Sequence, residues 1–246
     1  MGNITETVKV LLIANILFFV GSQFTGDYVY QLLALWIPEN ENFQVWQIIT
    51  HMFMHGGYSH ILFNMFALYM FGSVLEQTLG QQRFLFLYFS SGLGAAGLQI
   101  LFCYIQFDSL YSELINIGFS TNDLQQFIQD ANNIDNRSIT NNTLKQFHQV
   151  YTYPMVGASG AIFGVLAAFA VVYPNLPLYL MFVPIPIKAK YLIGGYFAIN
   201  VYSAVTGTTL LGPSNTAYWA HIGGAIIGFI TMWYWKKNSF NSNRWN

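Results

Sequence analysis

A single serine stands at the start of an apolar segment, in the sequence 156-VGASGAIFG-164, between glycine and alanine neighbours. A serine among small residues in an apolar helix often serves helix packing, and it becomes a nucleophile only when a base removes its proton. Ser159 would lie in the first turn of such a helix, where backbone N–H groups without a helical partner can stabilise an oxyanion. The position therefore allows both packing and nucleophilic chemistry.

A histidine in a later apolar segment is the candidate base. His221 lies in the sequence AYWAHIGGAIIGF, which also carries Gly224 and Gly228 at a spacing that lets helices approach closely. A neutral buried imidazole could accept the proton of Ser159, although a histidine that only bonds a neighbouring helix would look the same in the sequence. No carboxylate lies well inside an apolar segment to orient this histidine, so we expect a Ser–His dyad without a third member.

Two further polar side chains, His60 and Asn64, lie one helical turn apart in the sequence HILFN. They share one face of a helix and could donate hydrogen bonds to an oxyanion, or else bond neighbouring helices. The helices that carry Ser159, His221 and His60 would all begin on the same side of a membrane. We therefore expect nucleophile, base and oxyanion donors at one depth. Asn200, midway along another apolar segment, is the remaining polar residue of this kind.

The elements that must position these groups are six apolar segments, each near the ~20 residues that a membrane-crossing helix needs. Hydrophobic residues make up 54% of the 246-residue chain and charged residues only 8%, where a soluble domain carries about a quarter. We expect an all-α polytopic membrane protein with six transmembrane helices in one bundle, at residues 8–28, 58–77, 84–106, 157–173, 190–210 and 217–235.

Lysine and arginine residues predict how the bundle is oriented. If both termini lie on one side, that side receives seven of the nine basic residues, and the other side receives only Arg137 and Lys145. Because loops rich in lysine and arginine face the cytoplasm, we expect both termini to be cytoplasmic. We interpret the first apolar segment as a retained span, not a cleaved signal peptide, since Glu6 precedes Lys9 and no convincing cleavage site follows.

Residues 107–150 differ from the rest of the chain, because they are polar and rich in asparagine, glutamine and aspartate. We expect an external insert with short helices between the third and fourth spans, within a single membrane domain of residues 1–246. An insert on that side would lie near the mouth of the site and could screen or recruit substrates. A solvated excursion without such a role fits the sequence equally well.

Other classes of protein have less support in the sequence. His51 and His55, with His60 and His221, could bind zinc, but the sequence HMFMH lacks the glutamate of the zinc-protease motif, and Ser159 would have no role. The net charge of −1 gives no indication of nucleic-acid binding. The lack of a charged residue well inside a span argues against an ion-coupled transporter.

Taken together, the sequences GASG at Ser159, AH with a following glycine at His221, and HILFN from His60 to Asn64 resemble the rhomboid intramembrane serine proteases. The resemblance covers roughly residues 40–235 apart from the insert, with the motifs in family order. It implies the six-span bacterial form of the family, in the bacterial inner membrane with both termini cytoplasmic.

The resemblance also implies a role for each site residue. Ser159 is the nucleophile, His221 is the general base, and His60 and Asn64 help the Ser159 N–H hold the oxyanion. The implied reaction is peptide-bond hydrolysis through an acyl-enzyme within the lipid bilayer, without metal or cofactor. The implied substrates are single-pass membrane proteins, cut near the outer ends of their spans.

Two positions depart from the family pattern. Gln47 follows Trp46 where the family often has arginine, so no role of an arginine carries over. Phe163 stands where the family often has tyrosine against the histidine ring, and phenylalanine keeps the stacking surface without the hydroxyl. The alternative interpretation is a catalytically idle rhomboid-like protein that binds membrane-protein clients. Such relatives normally lack the serine or the histidine, and this chain has both.

Overall fold

The computed structural model describes residues 4–180, 183–213 and 215–239. Over these residues the protein is mostly helical, as the composition predicts. The elements, in chain order, are α1 Glu6–Thr25, α2 Asp27–Leu33, α3 Gln47–Thr50, α4 Tyr58–Ala67, α5 Ser73–Leu79, α6 Gln81–Asn116, α7 Thr121–Asp130, α8 Asn142–Thr152, α9 Ser159–Val172, β1 Pro177–Leu180, β2 Val183–Lys188, α10 Ala189–Thr206 and α11 Tyr218–Ser239.

Three helical segments of the described chain are both long and apolar enough to cross a membrane. They are α1, the run from Tyr58 to Leu79, and α6. The second of these combines α4 and α5 through a π-helical turn at Leu68–Gly72. Helix α9 is apolar but shorter. Three of the six predicted spans therefore meet this criterion of length and composition, and the crossing of the other three stays a prediction.

Helix α9 is the buried centre of the bundle and packs against α6 and α11. Its buried residues lie on all of its sides, which is typical of a helix that is apolar all round. A Cβ added at Gly224 of α11 would lie 1.9 Å from the carbonyl oxygen of Gly160, and one at Gly228 would lie 2.3 Å from that of Gly164. These contacts exclude any side chain, so the two helices touch backbone to backbone through glycine.

A buried carboxylate joins the start of α1 to the end of α5. Glu76 accepts hydrogen bonds from the backbone N–H groups of Thr7, at 3.1 Å, and Val8, at 3.0 Å, and from the hydroxyl of Thr5. The first N–H groups of a helix have no partner within it, and a negative charge there is favourable. The beginning of the first span therefore lies at the same end of the bundle as the end of the second.

The polar segment after the third predicted span is folded onto an extension of α6. This helix continues to Asn116, beyond the predicted end of the span at residue 106. Leu110 and Leu114 of α6 pack with Leu124 of α7 and Phe147 of α8 in a small apolar cluster. The extension exists because this cluster gives the last turns of α6 an apolar face to bury. That the segment is external stays a prediction.

The connection between α9 and α10 is not helical, which corrects the all-α prediction for this segment. Strands β1 and β2 form an antiparallel pair in which Pro177 lies opposite Lys188 and Tyr179 opposite Pro186. Proline cannot continue a helix, because it lacks the N–H and its ring clashes with the preceding turn. The prolines of this segment therefore favour extended chain.

Candidate active site

The predicted nucleophile and base are in hydrogen-bond contact. Ser159 is the first residue of α9, and its Oγ lies 2.9 Å from Nε2 of His221 on α11. His221 is buried. Gly160 follows Ser159 directly, and Gly224 lies one turn after His221, so the backbone contact between these two glycines sets the distance between the two side chains.

An aromatic side chain supports the imidazole. The ring of Phe163, one turn after Ser159, stacks on the ring of His221 with centroids 4.1 Å apart and planes 10° apart. The ring of Tyr196 on α10 lies 5.1 Å from that of Phe163. The stacking surface expected of Phe163 is confirmed, and it restricts the plane of the imidazole.

A third polar side chain meets the histidine, contrary to the expectation that the spans supply none. Oδ1 of Asn200, on α10, lies 2.8 Å from Nδ1 of His221. The expectation was wrong because an amide oxygen, and not only a carboxylate, can bond the imidazole. The sequence did point to Asn200, since an asparagine in the middle of an apolar helix needs a hydrogen-bond partner. The sequence could not say which of the other helices that partner belonged to.

His60 faces the same small space as the serine hydroxyl. A Cβ added at Gly157 would lie 2.8 Å from Nε2 of His60 and 3.5 Å from Oγ of Ser159. Gly157 has a φ of 125°, which side chains rarely allow, so glycine is required here on both grounds. Nδ1 of His60 accepts a hydrogen bond from the Gly56 N–H at 3.4 Å. The proton of a neutral His60 is therefore on Nε2, the nitrogen that borders the space beside Gly157.

Asn64 lies one turn after His60 on α4 and has an unused hydrogen-bond donor. Its side chain is buried, and its Nδ2 has no hydrogen-bond partner in the described chain. A buried amide group without a partner is costly and calls for an explanation, and a role in catalysis is one. The two side chains predicted to stabilise an oxyanion thus each present an N–H group.

The loop before α9 is tied to the loop before α4. The Gly157 N–H donates to the carbonyl of His51 at 2.9 Å, and Leu35 and Met155 exchange two backbone hydrogen bonds. Both loops enter helices that carry site residues. Their pairing therefore fixes the start of α9 relative to α4.

Gln47, which stands where the resemblance leads one to expect an arginine, organises the loop before α4. Its Nε2 donates to the carbonyl groups of Gln31, Leu32 and Asn42, at 3.1, 3.3 and 2.8 Å. Its Oε1 accepts from the backbone N–H groups of Gln44, at 3.1 Å, and Trp36, at 3.4 Å. An arginine could only donate, so the amide satisfies two N–H groups that a guanidinium could not.

Two buried histidines lie beside the site in this loop. Burial lowers the pKa of His51 to about 4, and it lowers that of His55 to about 4 with a further contribution from the neighbouring His60. Nδ1 of His51 is bonded to the Gln47 carbonyl at 2.8 Å. Both rings are therefore neutral at neutral pH. Across the residues that the structure describes, no three His, Cys, Asp or Glu side chains come together as a metal site would require.

Comparison with known proteins identifies the family. The Rhomboid domain model matches residues 42–121 and 136–238, two blocks that include all four predicted site residues. The chain is 27% identical over 193 residues to Rhomboid protein 1, mitochondrial, of Saccharomyces cerevisiae, covering 77% of this chain and 42% of the relative.

Bacterial relatives match as well. The chain is 28% identical over 194 residues to Rhomboid protease AarA of Providencia stuartii, covering 74% of this chain and 53% of the relative. It is 31% identical over 110 residues to Rhomboid protease GlpG of Yersinia enterocolitica, covering 44% of this chain and 38% of the relative. The chain spans about half or less of the length of these curated relatives. Because the family model covers most of the chain and both of its matched blocks contribute to the site, the chain belongs to the rhomboid family.

Proposed function

We propose that the protein is an intramembrane serine endopeptidase, which hydrolyses peptide bonds in or near transmembrane segments of other membrane proteins. The observation that carries this proposal is the 2.9 Å contact between Ser159 Oγ and His221 Nε2 at the start of a buried apolar helix. An unprotonated Nε2 at this distance can take the serine proton as the hydroxyl attacks a carbonyl carbon.

The reaction proceeds in two stages. His221 accepts the proton of Ser159 while Oγ bonds to the scissile carbonyl carbon, and it then gives that proton to the leaving amine as the C–N bond breaks. The acyl-enzyme remains on Ser159. Water, deprotonated by His221, attacks the ester and releases the second product, and the proton returns to Oγ.

The negative charge that develops on the carbonyl oxygen needs donors in place before the reaction. Nε2–H of His60 lies in the space beside Gly157 that the Ser159 hydroxyl also borders. Asn64 lies one turn further along the same helix, and its buried Nδ2 has no partner among the described residues. The first N–H groups of α9 have no acceptor within the helix. Preorganised donors of this kind are worth about 3–4 kcal/mol each when removed from an oxyanion site.

We further propose that six helices cross the bilayer, including the shorter α9 and the helices α10 and α11, with both termini cytoplasmic. Contacts at one end of the bundle support this arrangement, in which successive helices cross in alternating directions. Thr78 at the end of α5 bonds the hydroxyl of Tyr173 after α9 at 2.5 Å, and Lys236 of α11 donates to the carbonyl of Val171 at 2.9 Å. Ser159 and His221 lie toward the opposite ends of their helices, on the external side. The bacterial inner membrane and single-pass membrane-protein substrates remain the predictions for location and partner.

Cleavage by the purified protein tests the proposal. The protein in detergent or liposomes is given a panel of single-pass membrane proteins, with Ser159→Ala and His221→Ala as inactive variants. Ser90→Ala is the matched serine control, because among the described residues the Ser90 hydroxyl bonds the carbonyl of Leu87 in its own helix and nothing else. We expect wild type and Ser90→Ala to cut, the two site variants not to cut, and a chelator to change nothing.

A fluorophosphonate probe separates a working serine from an idle one without a known substrate. We expect the probe to label wild type at Ser159 and to leave His221→Ala unlabelled. If wild type neither cleaves the substrates nor reacts with the probe, and membrane proteins co-purify with it, the protease proposal is wrong. The protein is then a catalytically idle relative that binds membrane-protein clients.

A further inference from the structure

Asn200 is a polar residue that the two-residue mechanism does not use. It lies midway along α10, where Ala189, Asn200 and Ser203 are the buried residues of the helix. Only 2% of its surface is exposed. Burying an amide in an apolar bundle is costly unless its hydrogen bonds are made. Asn200 makes them: Nδ2 donates to the Tyr196 carbonyl at 2.8 Å, and Oδ1 meets Nδ1 of His221 at 2.8 Å.

These two bonds assign the protons of the histidine. The amide nitrogen is used as a donor toward a carbonyl oxygen, so the atom that faces His221 is the amide oxygen, which can only accept. Nδ1 of His221 must then carry the proton. In a neutral imidazole this leaves Nε2 as the unprotonated nitrogen, and Nε2 is the atom 2.9 Å from the Ser159 hydroxyl.

The stacking of Phe163 cannot do this alone. Parallel rings restrict the plane of the imidazole, but a half-turn of the ring about the bond to Cβ leaves the plane unchanged. That half-turn would replace both nitrogens by carbon atoms at the positions that face Ser159 and Asn200. The hydrogen bond to Asn200 distinguishes the two orientations, because only one of them offers an N–H to the amide oxygen.

We infer that Asn200 is a positioning residue that holds His221 in the orientation and tautomer needed to accept the serine proton, which makes the site a Ser–His–Asn arrangement. This inference rests on the proposed protease function. A neutral amide suits a site within a bilayer, because a buried carboxylate in the same place would carry a large desolvation cost. An Asn in the third position is known from the Cys–His–Asn proteases.

Three variants test the inference. Asn200→Leu keeps the approximate size and removes the acceptor, while Asn200→Asp keeps an acceptor oxygen in the same place. Ser203→Ala is the matched control, because Ser203 is buried on the same helix and its hydroxyl has no hydrogen-bond partner in the described chain. Thermal unfolding in detergent establishes that each variant is folded.

Kinetics on one cleaved substrate give the first readout. We expect Asn200→Leu to lower kcat by about tenfold to 100-fold, part of the 10²–10⁴-fold that a positioned base contributes. KM should stay unchanged, since Asn200 bonds His221 and Tyr196 and leaves substrate binding to other groups. Asn200→Asp should recover part of the lost kcat at a cost in stability, because it keeps the acceptor for His221 but brings a carboxylate into the bundle and loses the donor to Tyr196. Ser203→Ala should match wild type. A kcat for folded Asn200→Leu within twofold of wild type would overturn the inference.

The tautomer gives a second readout that needs no activity. In protein labelled with ¹⁵N-histidine, the resonances of His221 are identified by their loss in His221→Ala. We expect Nδ1 to be the protonated nitrogen in wild type, and we expect Asn200→Leu to show a mixture of tautomers. An unprotonated Nδ1 in wild type would refute the inference even if the protein cleaves its substrates. Wild type that shows a protonated Nδ1 but neither cuts nor labels would refute the protease function and leave the positioning of His221 intact.

Discussion

The backbone contact between α9 and α11 predicts that Gly224→Ala separates the nucleophile from the base. The new Cβ would lie 1.9 Å from the Gly160 carbonyl oxygen, whereas ordinary contacts begin at 3.4 Å. The obstacle is backbone and cannot rotate away, so α11 must retreat by the difference, about 1.5 Å. Gly160 is next to Ser159, and Gly224 is one turn from His221. A retreat of this size carried to the side chains lengthens the 2.9 Å contact between Oγ and Nε2 beyond hydrogen-bond reach.

The effect on activity should exceed the effect on stability. A misplacement of about 1 Å can reduce a rate about 10²-fold. Overpacking costs about 1–3 kcal/mol, partly offset by the roughly 1 kcal/mol that alanine gains over glycine in a helix. The assay is fluorophosphonate labelling of Ser159 and substrate cleavage, with thermal unfolding alongside. Gly97→Ala on α6 is the control, because its Cβ would meet nothing within 4 Å. Labelling of Gly224→Ala at the wild-type rate would show that the helix contact does not set the site geometry.

Three further predictions concern stability, each measured by thermal unfolding in detergent. Glu76→Gln should cost about 1–3 kcal/mol with activity retained, because an amide cannot accept from both the Thr7 and Val8 N–H groups; an unchanged midpoint would contradict this. Gln47→Leu should cost at least about 2 kcal/mol, since it leaves the buried Trp36 N–H and several part-buried N–H and C=O groups of the loop unpaired. A loss below 0.5 kcal/mol, roughly the effect of a surface substitution, would refute it. The pKa of His51 is lowered from 6.5 to about 4 in the folded protein. As the pH falls below 6.5, the unfolded chain therefore takes up a proton on this histidine before the folded protein does. The free energy of unfolding should fall by about 2 kcal/mol at pH 5 for this reason. A His51→Gln variant should not show this fall in stability, and an equal pH dependence of the two proteins would exclude a contribution from His51.

The local sequence determined the helices and the four groups first assigned to the site. Long apolar segments must satisfy their own backbone hydrogen bonds in a bilayer, so they are helical wherever proline does not intervene. Local periodicity alone places the four groups at a similar depth in the membrane. The serine and one histidine each lie near the start of a helix, and His60 and Asn64 lie one turn apart on a third. The contact of Ser159 with His221 follows from that placement together with the glycines beside them.

Tertiary structure alone decided which groups those side chains meet. Asn200 lies 21 residues before His221, and whether its amide faces lipid or the imidazole depends on how α10 is rotated against α11. The partners of Gln47 were equally unreadable from the sequence, because its five side-chain hydrogen bonds reach a loop that has no periodic pattern. Glu76 caps a helix that begins about 70 residues earlier in the chain, with sequence separations of 68 to 71 across its bonds. Such partners come from the packing of whole helices, which hydrophobic periodicity does not encode, because a helix that is apolar all round has no marked face.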